Sequence, residues 1–159
     1  MRFTIVAVGK LKERFWVDAC KEYLKRLQPY AKTEVREIAD VDPARAGGVD
    51  AARNKEGDAI CAELGKLSSG THVVLMAIDG VERSSEQLSR HLGQLMLRGK
   101  SDFAFVIGGS DGVSDAVRAR ANEKLSFGPI TLPHNLARVV LLEQLYRTQK
   151  IAHNEPYHK

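Results

Sequence analysis

Asp102-Phe103-Ala104-Phe105-Val106-Ile107-Gly108-Gly109-Ser110-Asp111-Gly112 decides how the rest of the chain reads. Phe103–Ile107 is an unbroken apolar run, as in a strand buried on both faces. It meets a glycine pair and a polar turn, and Ser114-Asp115-Ala116-Val117 then opens a capped helix. Strand, tight loop and helix start, in that order, offer bare backbone N–H and C=O groups to a ligand, because glycine has no Cβ to hold the ligand away. A dinucleotide-binding fold carries its glycine loop after the first strand. Here the first strand-like segment, Phe3–Val8, is followed only by Gly9-Lys10. A ligand loop in the last third of the chain implies a different architecture.

Working outward, further strands are predicted at Glu34–Ile38 and His72–Ile78, with a short one near Ile130–Leu132. Helical spacing joins Trp16, Ala19, Cys20, Tyr23, Leu24 and Leu27, then Ile60, Leu64 and Leu67, then Leu88, Leu92, Leu95 and Met96. Ser84 and Gln87 form a capping box for the third of these, and Gly99 ends it. A last helix is predicted from Leu136 to Ile151. The alternation predicts an α/β fold, a mostly parallel sheet with helices on both faces. Asp40–Asp50, with Pro43 and Gly47-Gly48, is predicted to be the mobile loop. With no repeat or linker in 159 residues, a single domain over 1–159 is expected. The last helix carries Leu136, Val139-Val140-Leu141-Leu142, Leu145 and Ile151 around its whole circumference. A surface helix needs only one apolar stripe, so this one is either central in a monomer or covered by a second subunit, and a symmetric dimer is expected.

Composition excludes several classes. No apolar run approaches the roughly 20 residues that cross a bilayer. The N-terminus enters strand alternation at once, so no signal peptide and no membrane partner are expected. Cys20 and Cys61 lie in helical patterns without metal-ligand neighbours, which reads as two buried reduced thiols in a cytoplasmic protein with no metal site. Net charge is +4, but residues 1–36 carry nine Lys/Arg against four Asp/Glu. A basic N-terminal face suits a phosphate backbone and a solvated helix equally.

A second ligand-like stretch is Phe127-Gly128-Pro129-Ile130-Thr131-Leu132-Pro133-His134. Its prolines stiffen it and remove two N–H donors, and its exposed backbone suits an adenine edge. Neither glycine loop holds the lysine of a phosphate-binding loop. That absence suits a cationic ligand, such as the sulfonium of S-adenosylmethionine. Glu143 and Arg147 sit at i,i+4 on an otherwise apolar helix, where a charged pair is satisfied or functional, and Arg138 poses the same question. The chain ends in Asn154-Glu155-Pro156-Tyr157-His158-Lys159. Chain ends are usually disordered, yet Tyr, His and Lys are the side chains that stack on a base, move a proton and grip a phosphate. Two rival readings stay open on residues alone: a phosphate- or dinucleotide-dependent α/β enzyme, and a non-catalytic RNA- or ribosome-binding dimer.

Several segments together carry a resemblance. They are Ala7-Val8-Gly9-Lys10-Leu11-Lys12, Lys55-Glu56-Gly57, Phe105–Gly112, Leu132-Pro133-His134, Arg138-Val139, Glu143-Gln144-Leu145-Tyr146-Arg147 and Pro156-Tyr157-His158-Lys159. In this order they resemble the ribosomal RNA large-subunit methyltransferase H family, a minimal branch of the SPOUT methyltransferases, over essentially the whole chain. The resemblance implies a parallel sheet with a C-terminal trefoil knot, bound S-adenosylmethionine, and a homodimer whose active site draws on both subunits. It also implies methylation at N3 of a pseudouridine in large-subunit rRNA on assembled ribosomes. Carried over by position, cofactor contacts fall on Met76, Gly108, Phe127, Gly128, Pro129, Ile130, Thr131 and Leu132. Met76 stands where members often have Leu, and Asn154 and Lys159 where they commonly have Gly and Arg. For the chemistry, His158 is expected to handle the proton, Tyr157 to stack on or bond to the base, and Arg147 and Arg138 to stabilise negative charge.

Overall fold

The computed structural model describes residues 1–157; His158 and Lys159, both assigned roles above, lie outside the described residues. In chain order the elements are β1 (Arg2–Val8), α1 (Arg14–Leu27), β2 (Lys32–Ile38), α2 (Pro43–Ala46), α3 (Val49–Gly65), β3 (His72–Glu82), α4 (Ser85–Leu97), β4 (Asp102–Ile107), α5 (Asp115–Arg120), β5 (Glu123–Ser126) and α6 (His134–Ala152). The five strands form one parallel sheet in the order β2-β1-β4-β3-β5.

The two-residue strand period sorts the core into two layers. Phe3, Ile5 and Ala7 of β1 join Phe103, Phe105 and Ile107 of β4 on one face, against Cys20, Leu27, Leu88, Leu92, Leu141, Leu142 and Leu145 of α1, α4 and α6. The Phe3 ring lies 6.0 Å from both Phe103 and Phe105. Val6, Val8, Ala104 and Val106 point the other way, onto Ile60 and Leu64 of α3 and Val117 of α5. Both faces of the central strands are therefore covered, which is why their sequences read as continuous apolar runs.

Three expectations need correction. No strand forms near Ile130–Leu132; the fifth strand is Glu123–Ser126. Pro129 and Pro133 remove ladder donors from the expected segment, whereas Glu123–Ser126, with a single large apolar residue, gives no alternation to recognise. Asp40–Asp50 is not an irregular loop: Asp42 accepts a hydrogen bond from the Ala44 amide (2.9 Å) to cap α2, and α3 begins at Val49. Glu56 holds the same segment by accepting from the Val41 amide at 2.9 Å. Cys61 is only half-buried, although Cys20 is buried. Other local readings hold. Ser84 and Gln87 make the capping box, and Ser114 caps α5. α6 packs against α1 and α4 within one chain, which covers Leu141, Leu142 and Leu145; Leu136, Val139 and Val140 stay half-buried.

β3 carries the irregularity that shapes the ligand side. Met76 pairs with Leu125, and Val81 then pairs with the same Leu125, so residues 77–80 bow out of the ladder. Gly80 permits the close crossing, since a Cβ there would lie 2.7 Å from the Leu125 carbonyl carbon.

β5 is anchored at Glu123. Its Oε1 meets Nε2 of His72 (3.0 Å) and of His91 (2.8 Å), and its Oε2 accepts from Arg83 at 3.3 Å. Burial raises the Glu123 carboxyl, but the His91 and His72 hydrogen bonds and the Arg83 charge outweigh it and hold it below its ordinary value. A depressed folded-state value means that this stabilisation is present in full above the ordinary carboxylate range, about 4.3, and is lost as pH falls through the folded value. Glu123→Gln is expected to lower the melting temperature at neutral pH and to flatten its fall between about pH 5 and pH 3, read by thermal melts across that range.

Candidate functional site

The carboxyl ends of β3, β4 and β5 open onto one side of the sheet, where ligands of parallel α/β folds bind. β4 ends at Ile107 and delivers Gly108-Gly109-Ser110; the bulge in β3 delivers Ala77, Ile78 and Asp79; β5 delivers Ser126 and the segment 127–132; and α6 contributes Ala137. They enclose a cavity of about 460 Å3, within the range of small-molecule sites. The glycine loop is tight: the Gly112 amide donates to the Gly109 carbonyl at 3.1 Å. A Cβ on Gly108 would come within 2.6 Å of Val113 Cγ1, and one on Gly109 within 2.8 Å of Glu56 Oε2. Glu56 is itself buried, so a carboxylate lies directly behind the loop. On the opposite wall, Ser126 Oγ accepts from the Gly128 amide at 3.0 Å and donates to the Gly128 carbonyl at 3.2 Å, which pins the turn into the 127–132 segment.

Of the eight expected cofactor positions, Met76, Gly108, Phe127, Gly128, Ile130, Thr131 and Leu132 line this cavity; Pro129 lies in the same segment without facing it. The walls combine backbone of two glycine-containing loops with the apolar side chains of Met76, Leu125, Phe127, Ile130 and Leu132. Among the described residues the only ionisable side chains lining it are Asp79 and Arg118. A cradle that a Cβ would fill, apolar surface for a purine ring and no lysine for a phosphate together fit S-adenosylmethionine. Among the described residues no cluster of His, Cys, Asp or Glu could hold a metal ion, and no helix is long and apolar enough to cross a membrane.

A second cavity, about 560 Å3, lies across the 126–132 segment, bounded by Arg83, Ser84, Gln87, Val140 and Gln144. It is the larger of the two but lacks the glycine loop, so the chemistry favours the first. Sequence reasoning missed Asp79 and Arg118. Asp79-Gly80 follows the third apolar run as a turn signal, but nothing local announces that the bulge sets Asp79 at the cavity rim.

Of the expected catalytic residues, Tyr157, Arg147 and Arg138 do not line this cavity, and His158 lies outside the described residues. Tyr157 folds back on its own α6: its hydroxyl donates to Glu143 Oε1 at 3.1 Å, its ring packs edge-on to Tyr146 (4.8 Å), and the Arg147 guanidinium lies over it at 4.7 Å. Arg147 also grips Glu143 Oε1 through Nε (3.0 Å) and Nη2 (2.6 Å). Burial, with the Tyr23 hydrogen bond and the Glu143 charge, pushes the Tyr157 phenol up to about 12, so it stays protonated near neutrality. The turn before it is clasped by Glu155, which accepts from Tyr30 at 2.6 Å and pairs with Lys150, while Asn154 takes the left-handed conformation (φ 53°) that glycine would adopt freely. Arg138 is sealed in the interior at 1% exposure; Nη1 donates to Glu37 (2.6 Å) and Nη2 to the Gly9 carbonyl (2.8 Å), tying α6 to the ends of β1 and β2. Its surroundings are those of a structural clamp.

Comparison with known proteins agrees with this geometry. Residues 1–158 match the family model described as "Predicted SPOUT methyltransferase". Proteins named ribosomal RNA large subunit methyltransferase H are similar from end to end: 45% identical in Enterococcus faecalis, 48% in Bacillus cytotoxicus and 47% in Bacillus pumilus, each over 100% of both chains. A probable methylase family protein from Haemophilus influenzae shares the fold at 13% identity, with a TM-score of 0.54 over 99% of this chain and 70% of its own. With a glycine cradle, an apolar wall and end-to-end relatives in agreement, the chain belongs to the ribosomal RNA large subunit methyltransferase H family of SPOUT methyltransferases.

Proposed function

We propose that this protein transfers a methyl group from S-adenosylmethionine to N3 of a pseudouridine in large-subunit (23S) rRNA on assembled ribosomes. In this reading it is a cytoplasmic homodimer, with one catalytic domain spanning residues 1–159 and a trefoil knot in its C-terminal part. The observation that carries the reading is the convergence of Met76, Gly108 and five residues between Phe127 and Leu132 on one cavity. The rRNA substrate rests on the names of the full-length relatives.

When bound, the cofactor supplies a methyl carbon activated by its sulfonium. The chain's task is placement and exclusion of water. Gly108 and the 127–132 segment orient the ligand, and Phe127, Ile130 and Leu132 keep water from it. The N3 proton of pseudouridine must leave before nitrogen attacks, and His158 takes that role. Tyr157, held protonated, acts as a hydrogen-bond donor and stacking surface, and Arg147 stabilises developing negative charge. Within one chain Tyr157 rests on Glu143 and Tyr146, roughly 9–14 Å along α6 from Ala137 at the cavity rim. A second copy docked on the half-buried Leu136 and Val140 face of α6 brings its tail to the cavity instead. The modest net charge favours docking by shape on a ribosomal surface over tight binding of naked RNA.

Tritium transfer from labelled cofactor to intact ribosomes and to naked rRNA, followed by nucleoside analysis, tests the reading. Label in a 3-methylpseudouridine from ribosomes is expected; a ribosome fraction without label overturns it. Calorimetry with S-adenosylhomocysteine against a dinucleotide separates it from a phosphate-binding enzyme. Gly108→Ala pushes a methyl group toward Val113, an overpacking that costs about 1–3 kcal/mol. It is expected to weaken S-adenosylhomocysteine about tenfold in the same calorimetry.

A further inference from the structure

Charge around the first cavity is confined to one corner. Met76, Leu125, Phe127, Ile130 and Leu132 make the opposite wall apolar, while Asp79 from the β3 bulge and Arg118 from α5 stand together, Arg118 Nη1 lying 3.8 Å from Asp79 Oδ2. That separation is beyond hydrogen-bond length. Lys124 meets the same Asp79 oxygen closely and holds its carboxyl below the ordinary range. Asp79 is therefore ionised and already has a structural cation, and it does not need Arg118. Among the described residues this long contact is the only ion pair of Arg118, whose side chain is 44% exposed. A guanidinium offers five donors in a planar fork matched to a carboxylate. Among the described residues no other side chain lining the cavity carries a positive charge.

Taken with the cofactor reading proposed above, on which this step rests, the arrangement selects one orientation of the ligand. S-adenosylmethionine has an uncharged aromatic end and an amino-acid end with a carboxylate and an ammonium on one carbon. We propose that Arg118 binds the α-carboxylate and Asp79 the α-ammonium of the cofactor, forming a subsite that directs the adenosyl end toward Phe127–Leu132. Burial of the purine against the apolar wall contributes affinity without discriminating between adenosyl compounds. The charged corner contributes the discrimination, because its paired groups have no counterpart on a ligand that lacks the amino acid.

The experiment is calorimetric titration of the full-length wild type and Arg118→Gln with S-adenosylhomocysteine and with 5′-methylthioadenosine, which keeps the adenosyl thioether and lacks the amino-acid group. Loss of a charge-assisted fork is expected to weaken S-adenosylhomocysteine about tenfold while 5′-methylthioadenosine changes less than about twofold. Arg118→Lys, which keeps the charge and loses the fork, is expected to fall between. An unchanged affinity for S-adenosylhomocysteine in Arg118→Gln overturns the assignment, as does an equal loss for both ligands, which marks a general disturbance of the cavity. Should neither ligand bind the wild type, the cofactor reading itself fails and the subsite with it. Arg118 is on an exposed face of α5, and thermal melts of each variant check that the fold is retained.

Discussion

Deletion of Tyr157-His158-Lys159 is expected to cut methyl transfer by about a thousandfold, the scale of a lost general base, while cofactor affinity stays within about twofold. The asymmetry follows from the geometry. Among the described residues, the groups that Tyr157 touches, Tyr23, Glu143, Tyr146 and Arg147, do not line the cofactor cavity. The shortened chain also keeps the clasp of Glu155 on Tyr30 and Lys150, so the last turn of α6 remains anchored. Single-turnover transfer to ribosomes and calorimetry with S-adenosylhomocysteine read the two halves separately, and undiminished turnover by the truncated protein refutes the assignment.

Arg138→Ala is expected to destabilise the protein by about 3 kcal/mol, a drop of roughly 6–12 °C in melting temperature for a domain of this size. Arg138 is among the largest fully buried side chains, and its guanidinium joins Glu37 of β2 to the Gly9 carbonyl just after β1. Truncation leaves a cavity and an unpaired carbonyl. Glu37 itself is 35% exposed and is partly rescued by water, which keeps the cost below that of a fully buried orphan charge. Among the described residues Arg138 Nε has no hydrogen-bond partner, so the clamp is already imperfect, and Arg138→Met is expected to recover much of the loss by filling the volume. Thermal unfolding of both variants checks this. A role in stabilising charge on the reacting base predicts the reverse: a normal melt, normal cofactor affinity and lost turnover.

Phe3–Val8 and Phe103–Ile107 were legible as buried parallel strands because both of their faces are apolar, and a pattern covering both faces needs no knowledge of the neighbours. Ser84, Gln87 and Ser114 were legible because a cap is satisfied within four residues. The edge strand Glu123–Ser126 was not, because its place depends on Asn122, Glu123 and Leu125 meeting residues about 30 to 50 positions away. Gly108 and the 127–132 loop could be suspected individually from glycine and proline chemistry. That they line the same cavity, with Asp79 set at its rim by the bulge and Arg118 beside it from α5, is a long-range fact.

Local order therefore wrote the buried central strands, the caps and the two ligand loops into the chain, since backbone preference and apolar periodicity act over a few residues at a time. The assembly of those loops into a cavity was settled only by strand order and by the β3 bulge. So were the sealing of Arg138 and the position of Tyr157 on the flank of α6. Contacts of that kind join residues far apart in sequence, and their energies depend on what the rest of the fold places opposite them.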